Sequence, residues 1–385
     1  MGVFRVILAL SVLLSHAGGI TVPFRGGYLL YFINGGGVAV QCFYIISGFY
    51  MALILDGKYQ KEKGGTYLFY TNRAFRLLPL YLVFLLLSFC LSYLSTISSS
   101  FPQQPTTDLL VQHDRLSLGS IIFLTFSNIF ILGHDLMLFF VGISPSDGSL
   151  FLTTNIPATP RLGIETFFIP QSWTLSLEFY FYMIVPFVIR KTGVTILLVI
   201  ASLLLRAFLY SIGHGPRFYY DFWVYGFFPN ELALFLLGTL SYRIYTHLKD
   251  SPLLDSKVSV VAYALVLCLT LFYPWLPQKN TLPNFFNDAQ LIYYTAVILG
   301  LPFIFKLTKT SRIDRMLGEL SYPIYLCHLM IIPFFGPLYL PGKSLFEIIS
   351  IILTTTLVSL CAILVIQKPV DKYRESRLQL SKGAA

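Results

Sequence analysis

The sequence predicts an all-α, polytopic transmembrane bundle of about ten spans. Three observations lead there. Of 385 residues, 56% are hydrophobic and only 12% are charged, about half the charged share of a soluble domain. Mean hydropathy is +0.71. The apolar residues also fall in runs near the length that crosses ~30 Å of hydrocarbon. Backbone in lipid must satisfy its own hydrogen bonds, so such runs are helices. A soluble single-core enzyme, a disordered chain, a disulfide scaffold and a nucleic-acid-binding domain all fit poorly. The net charge of +9 then becomes a question of which loops carry it.

The runs are 3–20, 36–55, 77–97, 173–190, 194–212, 229–246, 258–274, 288–306, 317–336 and 345–367. The first reads as an uncleaved helix rather than a signal peptide. Arg5 is its only early charge, Ser11, Ser15 and His16 interrupt it, and no A-x-A site follows. With the N-terminus in the cytoplasm and ten crossings, 20 of the 27 Lys and Arg residues fall inside and six outside, with Arg206 left in a span. That split is a strong positive-inside bias, and it places both termini in the cytoplasm, most simply of a bacterial cytoplasmic membrane. An eleventh run, 118–141, must not change the parity, or the basic loops 243–257 and 306–316 would face outward. It also contains Asn128, His134 and Asp135, which lipid disfavours, so it is expected to be re-entrant, interfacial or buried. The longest outer stretch, 142–172, carries Pro145, Asp147, Gly148, Pro157 and Pro160, and is either a functional ordered loop or a connector. Residues 1–385 read as one transmembrane domain with no appended soluble domain. Cys42, Cys90, Cys268, Cys327 and Cys361 all lie in apolar runs without metal-ligand spacing and read as packing residues, so no metal site is expected.

Ionisable groups inside spans are costly and usually face a cavity or a partner. Arg5 and His16 are eleven residues apart on the first helix, ~16.5 Å along the axis and about three full turns, so they share a face. His16 reads either as a functional imidazole or as a packing histidine. Arg73 and Arg76, three residues apart just before Pro79, share a helical face at the cytoplasmic interface. Two guanidiniums there suit a phosphate-bearing ligand or, alternatively, lipid headgroups. Trp173 opens the fourth span as an interfacial anchor, Ser176 follows, and Glu178 lies about one and a half turns deeper, where a carboxylate needs a partner. In the ninth span Ser321 and Tyr322 precede His328, nine residues beyond Glu319. By depth, His16, Glu178 and His328 belong to one layer, as a polar cavity or as a structural hydrogen-bond network. Gly35, Gly36, Gly37, Ser47 and Gly48 allow the second span to pack closely.

These segments together resemble the acyltransferase 3 family of integral membrane proteins. The resemblance runs over nearly the whole chain. It rests on Arg5 with ten residues before His16, then Gly37, Val38, Phe43, Ser47, Gly48 and Phe49. It continues with Asn72 to Arg76 and Pro79, with Trp173 to Glu178, Tyr180, Tyr182 and Pro186, and with Gly318, Leu320, Ser321, Tyr322, Tyr325, Leu326 and His328. It implies a bundle of about ten helices. It also implies transfer of an acyl group, often acetyl, from cytoplasmic acyl-CoA as co-substrate to a hydroxyl of an envelope or lipid-linked glycan. His16 would then be the catalytic histidine, Arg5 its motif partner, Arg73 and Arg76 the acyl-CoA side, and Glu178 a further catalytic candidate. The Arg5–His16 separation is comparable to an extended pantetheine arm, so a thioester held by its phosphates at the inner mouth reaches the imidazole. His16 would act as general base or as a covalent acyl carrier, with Glu178 or His328 orienting or charge-balancing it. Two other readings use the same cavity: a transporter or exporter of a glycan or small acid, and an assembly or sensing component without chemistry.

Overall fold

A computed structural model of the chain describes residues 1–19, 21–24, 27–30, 35–57, 59, 65–104, 116–139, 141–153, 159, 163–212, 225–281, 286–339 and 342–383. Arg25, Lys58, Lys61, Lys63, Arg115, Arg161 and Arg217 of the charge split, and Pro157 and Pro160 of the outer stretch, lie outside the described residues.

Each of the ten runs contains a helix: α1 (Gly2–His16), α2 (Gly36–Gly57), α3 (Gly65–Ile97), α6 (Trp173–Val188), α7 (Thr192–Ile212), α8 (Phe228–Leu248), α9 (Ser256–Leu271), α10 (Asp288–Thr308), α11 (Arg312–Ile331) and α12 (Leu345–Ala362). The eleventh run holds α4 (Leu118–Phe130) and α5 (His134–Phe139). Among the described residues, six helices are long and apolar enough to cross a membrane: α2, α3, α7, α10, α11 and α12. The others fall short of ten for visible reasons. α1 stops at 15 residues because Gly18 and Gly19 take positive φ (96° and 78°), and Gly19 N–H closes back onto Leu14 O at 2.8 Å, which ends a helix. α6 and α9 have 16 residues each, and α8 carries buried Asn230, Glu231, Thr239 and Ser241 among its apolar positions.

Two boundaries differ from the expectation in ways that matter for the site. α3 begins at Gly65, twelve residues before the apolar run, so Arg73 and Arg76 sit inside a helix. At the other end α12 passes through a single π turn (Ile363–Gln367) into α13 (Lys368–Gly383), a helix with no apolar run to announce it. The bundle is all-α, but two short antiparallel hairpins join it outside the helices: β1 (Thr21–Phe24) with β2 (Gly27–Leu30), and β3 (Val141–Ile143) with β4 (Leu150–Leu152).

The awkward eleventh run is resolved by an inverted amphipathic helix. α4 turns Ser120, Ser127 and Asn128 into the protein and leaves Ile121, Ile122, Phe123, Phe126, Ile129 and Phe130 exposed. An apolar outer face over a polar inner one suits lipid. Thirteen residues rise only ~20 Å, too short to cross. After α4 the backbone turns at Ile131 and Gly133 (φ 65° and 83°). The turn after β3 then meets the start of α4, with Ser117 N–H on Gly148 O at 3.1 Å and Ser120 Oγ on the same carbonyl at 2.8 Å. The excursion begins and ends in one place.

Helix packing is set by small residues. A Cβ on Gly48 of α2 would overlap the carbonyl oxygen of Phe235, and one on Gly238 of α8 would overlap that of Ile45. The reciprocal pair brings α2 and α8 backbone to backbone. The main core lies around them, with Phe49, Phe181, Phe235 and Tyr293 fully buried. Leu197, Leu204, Phe208, Leu353 and Leu357 line the exposed outside of α7 and α12.

Candidate active site

α1 reaches the site by lying directly on α11. The Asp314 carboxylate of α11 accepts from Gly2 N–H (2.7 Å) and Val3 N–H (3.0 Å), satisfying donors at the start of α1 that have no partner within their own helix. Gly2 and Gly318 allow the approach: a Cβ on Gly318 would stand 2.9 Å from Gly2 Cα. Arg5 then faces a cavity of ≈ 500 Å³ walled by α1, α2, α3, α6, α10, α11 and α13.

Six cations line that cavity, Arg5, Arg73, Arg76, Lys309, Arg315 and Arg374, against three carboxylates, Glu178, Asp314 and Glu319. The excess is positive, and a concave site with low-dielectric walls focuses it onto anions. Arg76 pairs with Asp371 (3.2 Å), whereas among the described residues no carboxylate lies within ion-pair distance of Arg5 or Arg73. The remaining walls are Phe43, Tyr44, Ile46, Met51, Leu77 and their neighbours, with Tyr322 tied by its hydroxyl to Leu77 O at 2.9 Å.

α6 divides the residues expected from it between two faces. Thr174, Glu178 and Tyr182, spaced by four, line the cavity. Glu178 Oε1 accepts from Ser47 Oγ (2.7 Å) and from the Tyr182 hydroxyl, so its partners are a hydroxyl of α2 and one of its own helix rather than an imidazole. Ser176 and Tyr180 point the other way, both toward Asp135 Oδ1 (3.4 and 2.9 Å), and Tyr180 also receives Gly133 N–H (3.0 Å). Ser176 therefore holds the α4–α5 segment instead of lining the cavity. His134 completes that junction, with Nε2 on Ser127 O and Nδ1 on Ser172 Oγ, both at 2.9 Å. Trp173 stands edge-on to Tyr225, centroids 5.1 Å apart.

The two imidazoles meet beyond the cavity lining, past Tyr325, which stands 5.9 Å from His328 ring to ring. His328 Nε2 is 3.4 Å from His16 Nδ1. Carbonyl oxygens only accept, so the backbone fixes both tautomers. His328 Nδ1, 2.7 Å from Tyr325 O, carries a proton, which leaves its Nε2 a lone pair in the neutral ring. His16 Nδ1, 2.8 Å from Val12 O, carries a proton shared with that lone pair. Among the described residues His16 Nε2 has no hydrogen-bond partner, so it is the nitrogen of the pair left with its lone pair unused. The segment after α11 closes over this end: Tyr339 N–H donates to His16 O (2.8 Å), its ring lies 5.3 Å from the imidazole, and Lys343 Nζ caps Ala17 O (2.9 Å).

Several of these residues carry no sequence signal of their role. Arg374 and Asp371 sit in a tail that reads as an ordinary basic C-terminus, and Tyr339 sits in a loop. Arg206, left over in a span, finds Glu231 of α8 at 3.2 Å and the Phe286 ring at 3.9 Å, with Gln41 Nε2 on the same carboxylate at 2.8 Å. That buried pair lies apart from the cavity lining.

The chain resembles known proteins along most of its length. The O-acetyltransferase OatA of Staphylococcus aureus is 22% identical over 375 residues, covering 90% of this chain and 55% of that one. A putative acetyltransferase, ORF330, of the Acidianus two-tailed virus is 26% identical over 160 residues, 41% of this chain and 47% of that one. The chain thus spans about half the length of the curated relatives it matches. No solved structure matches. A family model described as an acyltransferase domain, Acyl_transf_3, covers residues 1–365, and with the apolar helices around it the chain belongs to that family of membrane acyltransferase domains.

Proposed function

We propose that this protein transfers an acyl group, most simply acetyl, from cytoplasmic acyl-CoA to a hydroxyl of a cell-surface or lipid-linked glycan. One observation carries the reading: a cavity lined by six cations ends at Tyr325, whose ring stands 5.9 Å from a histidine pair lying just beyond the lining. Phosphates favour arginine forks, and the ~16.5 Å between Arg5 and His16 suits a pantetheine arm. The O-acetyltransferase name of one relative supports acetyl as the group and oxygen as the acceptor atom. The transporter reading is not favoured, since one relative is named an O-acetyltransferase and the other a putative acetyltransferase.

In this reading Arg5, Arg73 and Arg76 hold the CoA phosphates and Glu178, pinned by Ser47, keeps the arm on its track. His16 Nε2 takes the acceptor hydroxyl proton as that oxygen attacks the thioester carbonyl. The C–S bond then breaks, and the imidazolium returns the proton to the departing thiolate. Val12 O holds His16 in the productive tautomer, and His328 faces the growing positive charge with its Nε2 lone pair, part of the role a carboxylate plays in other triads. We place the protein in a bacterial cytoplasmic membrane with ten crossings, both termini in the cytoplasm and the His16 end outward. The test is thiol release from acetyl-CoA by purified protein with a glycan acceptor. Release that rises with acceptor supports transfer. No release, with acceptor flux that follows an ion gradient, would make the protein a transporter.

A further inference from the structure

The inner mouth is completed by an element no apolar run announced. α13 leaves the π turn and runs back along α3, with Arg377 Nη2 on Thr71 Oγ1 (3.1 Å) and its guanidinium 5.3 Å from the Phe75 ring centre. Single π turns inside helices often mark functional sites, since the extra residue re-aims the side chains beyond it. Beyond it on the same helix, Arg374 lines the cavity and Asp371 pairs with the lining residues Arg76 and Arg374. Arg374 lines the cavity beside Arg73 and Arg76, near enough to be repelled by both. Asp371 stands between them: one carboxylate oxygen accepts from Arg76 Nη1 (3.2 Å) and Gln367 Nε2 (3.1 Å), the other from Arg374 Nη1. Arg73 Nε and Arg374 Nε are buried without a hydrogen-bond partner among the described residues.

A carboxylate bridging two guanidiniums presents two oxygens in the geometry a phosphate would present. The arrangement is an anion site filled by the protein's own anion. We propose that Arg374 is a phosphate ligand of the donor nucleotide, and that Asp371 is an internal stand-in which the CoA phosphates displace from Arg76 and Arg374. This rests on the acyl-CoA reading above. It adds that the donor site spans α3 and α13, so that α13 must stay docked for the donor to bind. The stand-in keeps like charges apart while the site is free and competes with the ligand when it arrives.

The probe is CoA itself, titrated into purified full-length protein, with Arg374→Gln, Arg374→Lys and Asp371→Asn beside wild type and thermal unfolding as the folding control. Removing a charge-assisted phosphate contact predicts about 10- to 100-fold weaker binding for Arg374→Gln, with lysine restoring part of it. Removing a partly exposed competing ion pair predicts about two- to fivefold tighter binding for Asp371→Asn. Arg374→Gln binding CoA like wild type, at matched stability, would overturn the ligand role. Asp371→Asn weakening binding would overturn the stand-in and leave Asp371 a scaffold. Wild type failing to bind CoA would remove the donor reading and this inference with it, which separates the two failures.

Discussion

His16 and His328 form a contacting pair, and in the proposed mechanism its reactivity rests on the lone pair of His16 Nε2. His328→Phe removes the nitrogen that accepts from His16 Nδ1 while preserving a planar ring in a fully buried slot. CoA binding is expected to stay near wild type and turnover to fall about 10–10²-fold. That is less than the ~10⁴-fold lost when a charged orienting group goes, because His328 is neutral. Steady-state rates at saturating acetyl-CoA check this, and wild-type turnover in His328→Phe would make the contact incidental. At the basic end, Arg73→Ala or Arg76→Ala is expected to weaken CoA binding by about one to two decades, read by titration, with lysine a partial rescue. Arg73 has the cleaner case, since Arg76 already shares Asp371. The sequence singled out His16 and His328 because a polar ring inside an apolar run stands out, and Arg73 and Arg76 because they share a helical face where such a run begins. It could not show that Ser176 faces Asp135 while Glu178, two positions on, faces the cavity, since that requires knowing which side of α6 the partner helices occupy.

Elements hold the residues in place through close backbone contact. α2 presents Ser47 to Glu178 and is pressed against α8 at Gly48 and Gly238. Gly238→Leu forces the two backbones apart. It is expected to cost about 1–3 kcal/mol of stability and lower the thermal unfolding temperature. Donor binding should weaken alongside, since Ser47 moves with α2. Unchanged unfolding would show that the pair tolerates side chains. The ten apolar runs were legible as helices because lipid leaves the backbone few choices. α13 was not, because its sequence, Lys368 to Gly383, is polar and its helical state is fixed by docking on α3 rather than by an apolar stripe. α3 likewise extends beyond its apolar run because Asn72, Arg73 and Arg76 find polar partners and a cavity instead of lipid.

At the scale of the molecule, Arg5, Arg73, Arg76 and Arg374 gather in the cavity and His16 and His328 meet beyond its lining, and the proposed reaction runs between them. The proposed orientation turns the cationic side to the cytoplasm. In a variant lacking the five native cysteines, Ser146→Cys is expected to be labelled by an impermeant thiol reagent from outside, because Ser146 is exposed on the turn that meets the start of α4. Labelling from the cytoplasmic side alone would reverse the topology. A bundle of apolar helices was readable from composition, whereas the return of the chain after 118–141 to the start of α4 emerged only from the contact between Ser117 and Gly148. The most direct measurement of the central claim is acceptor-dependent thiol release from acetyl-CoA by His16→Gln, compared with wild type and His16→Ala at matched membrane expression. Glutamine keeps a hydrogen-bonding side chain of similar reach but cannot accept a proton near neutral pH. If His16 Nε2 is the catalytic base, glutamine is as inactive as alanine, with a loss of about 10²–10⁴-fold or more and CoA binding retained. Near-wild-type release from His16→Gln would contradict the account and leave His16 a packing residue.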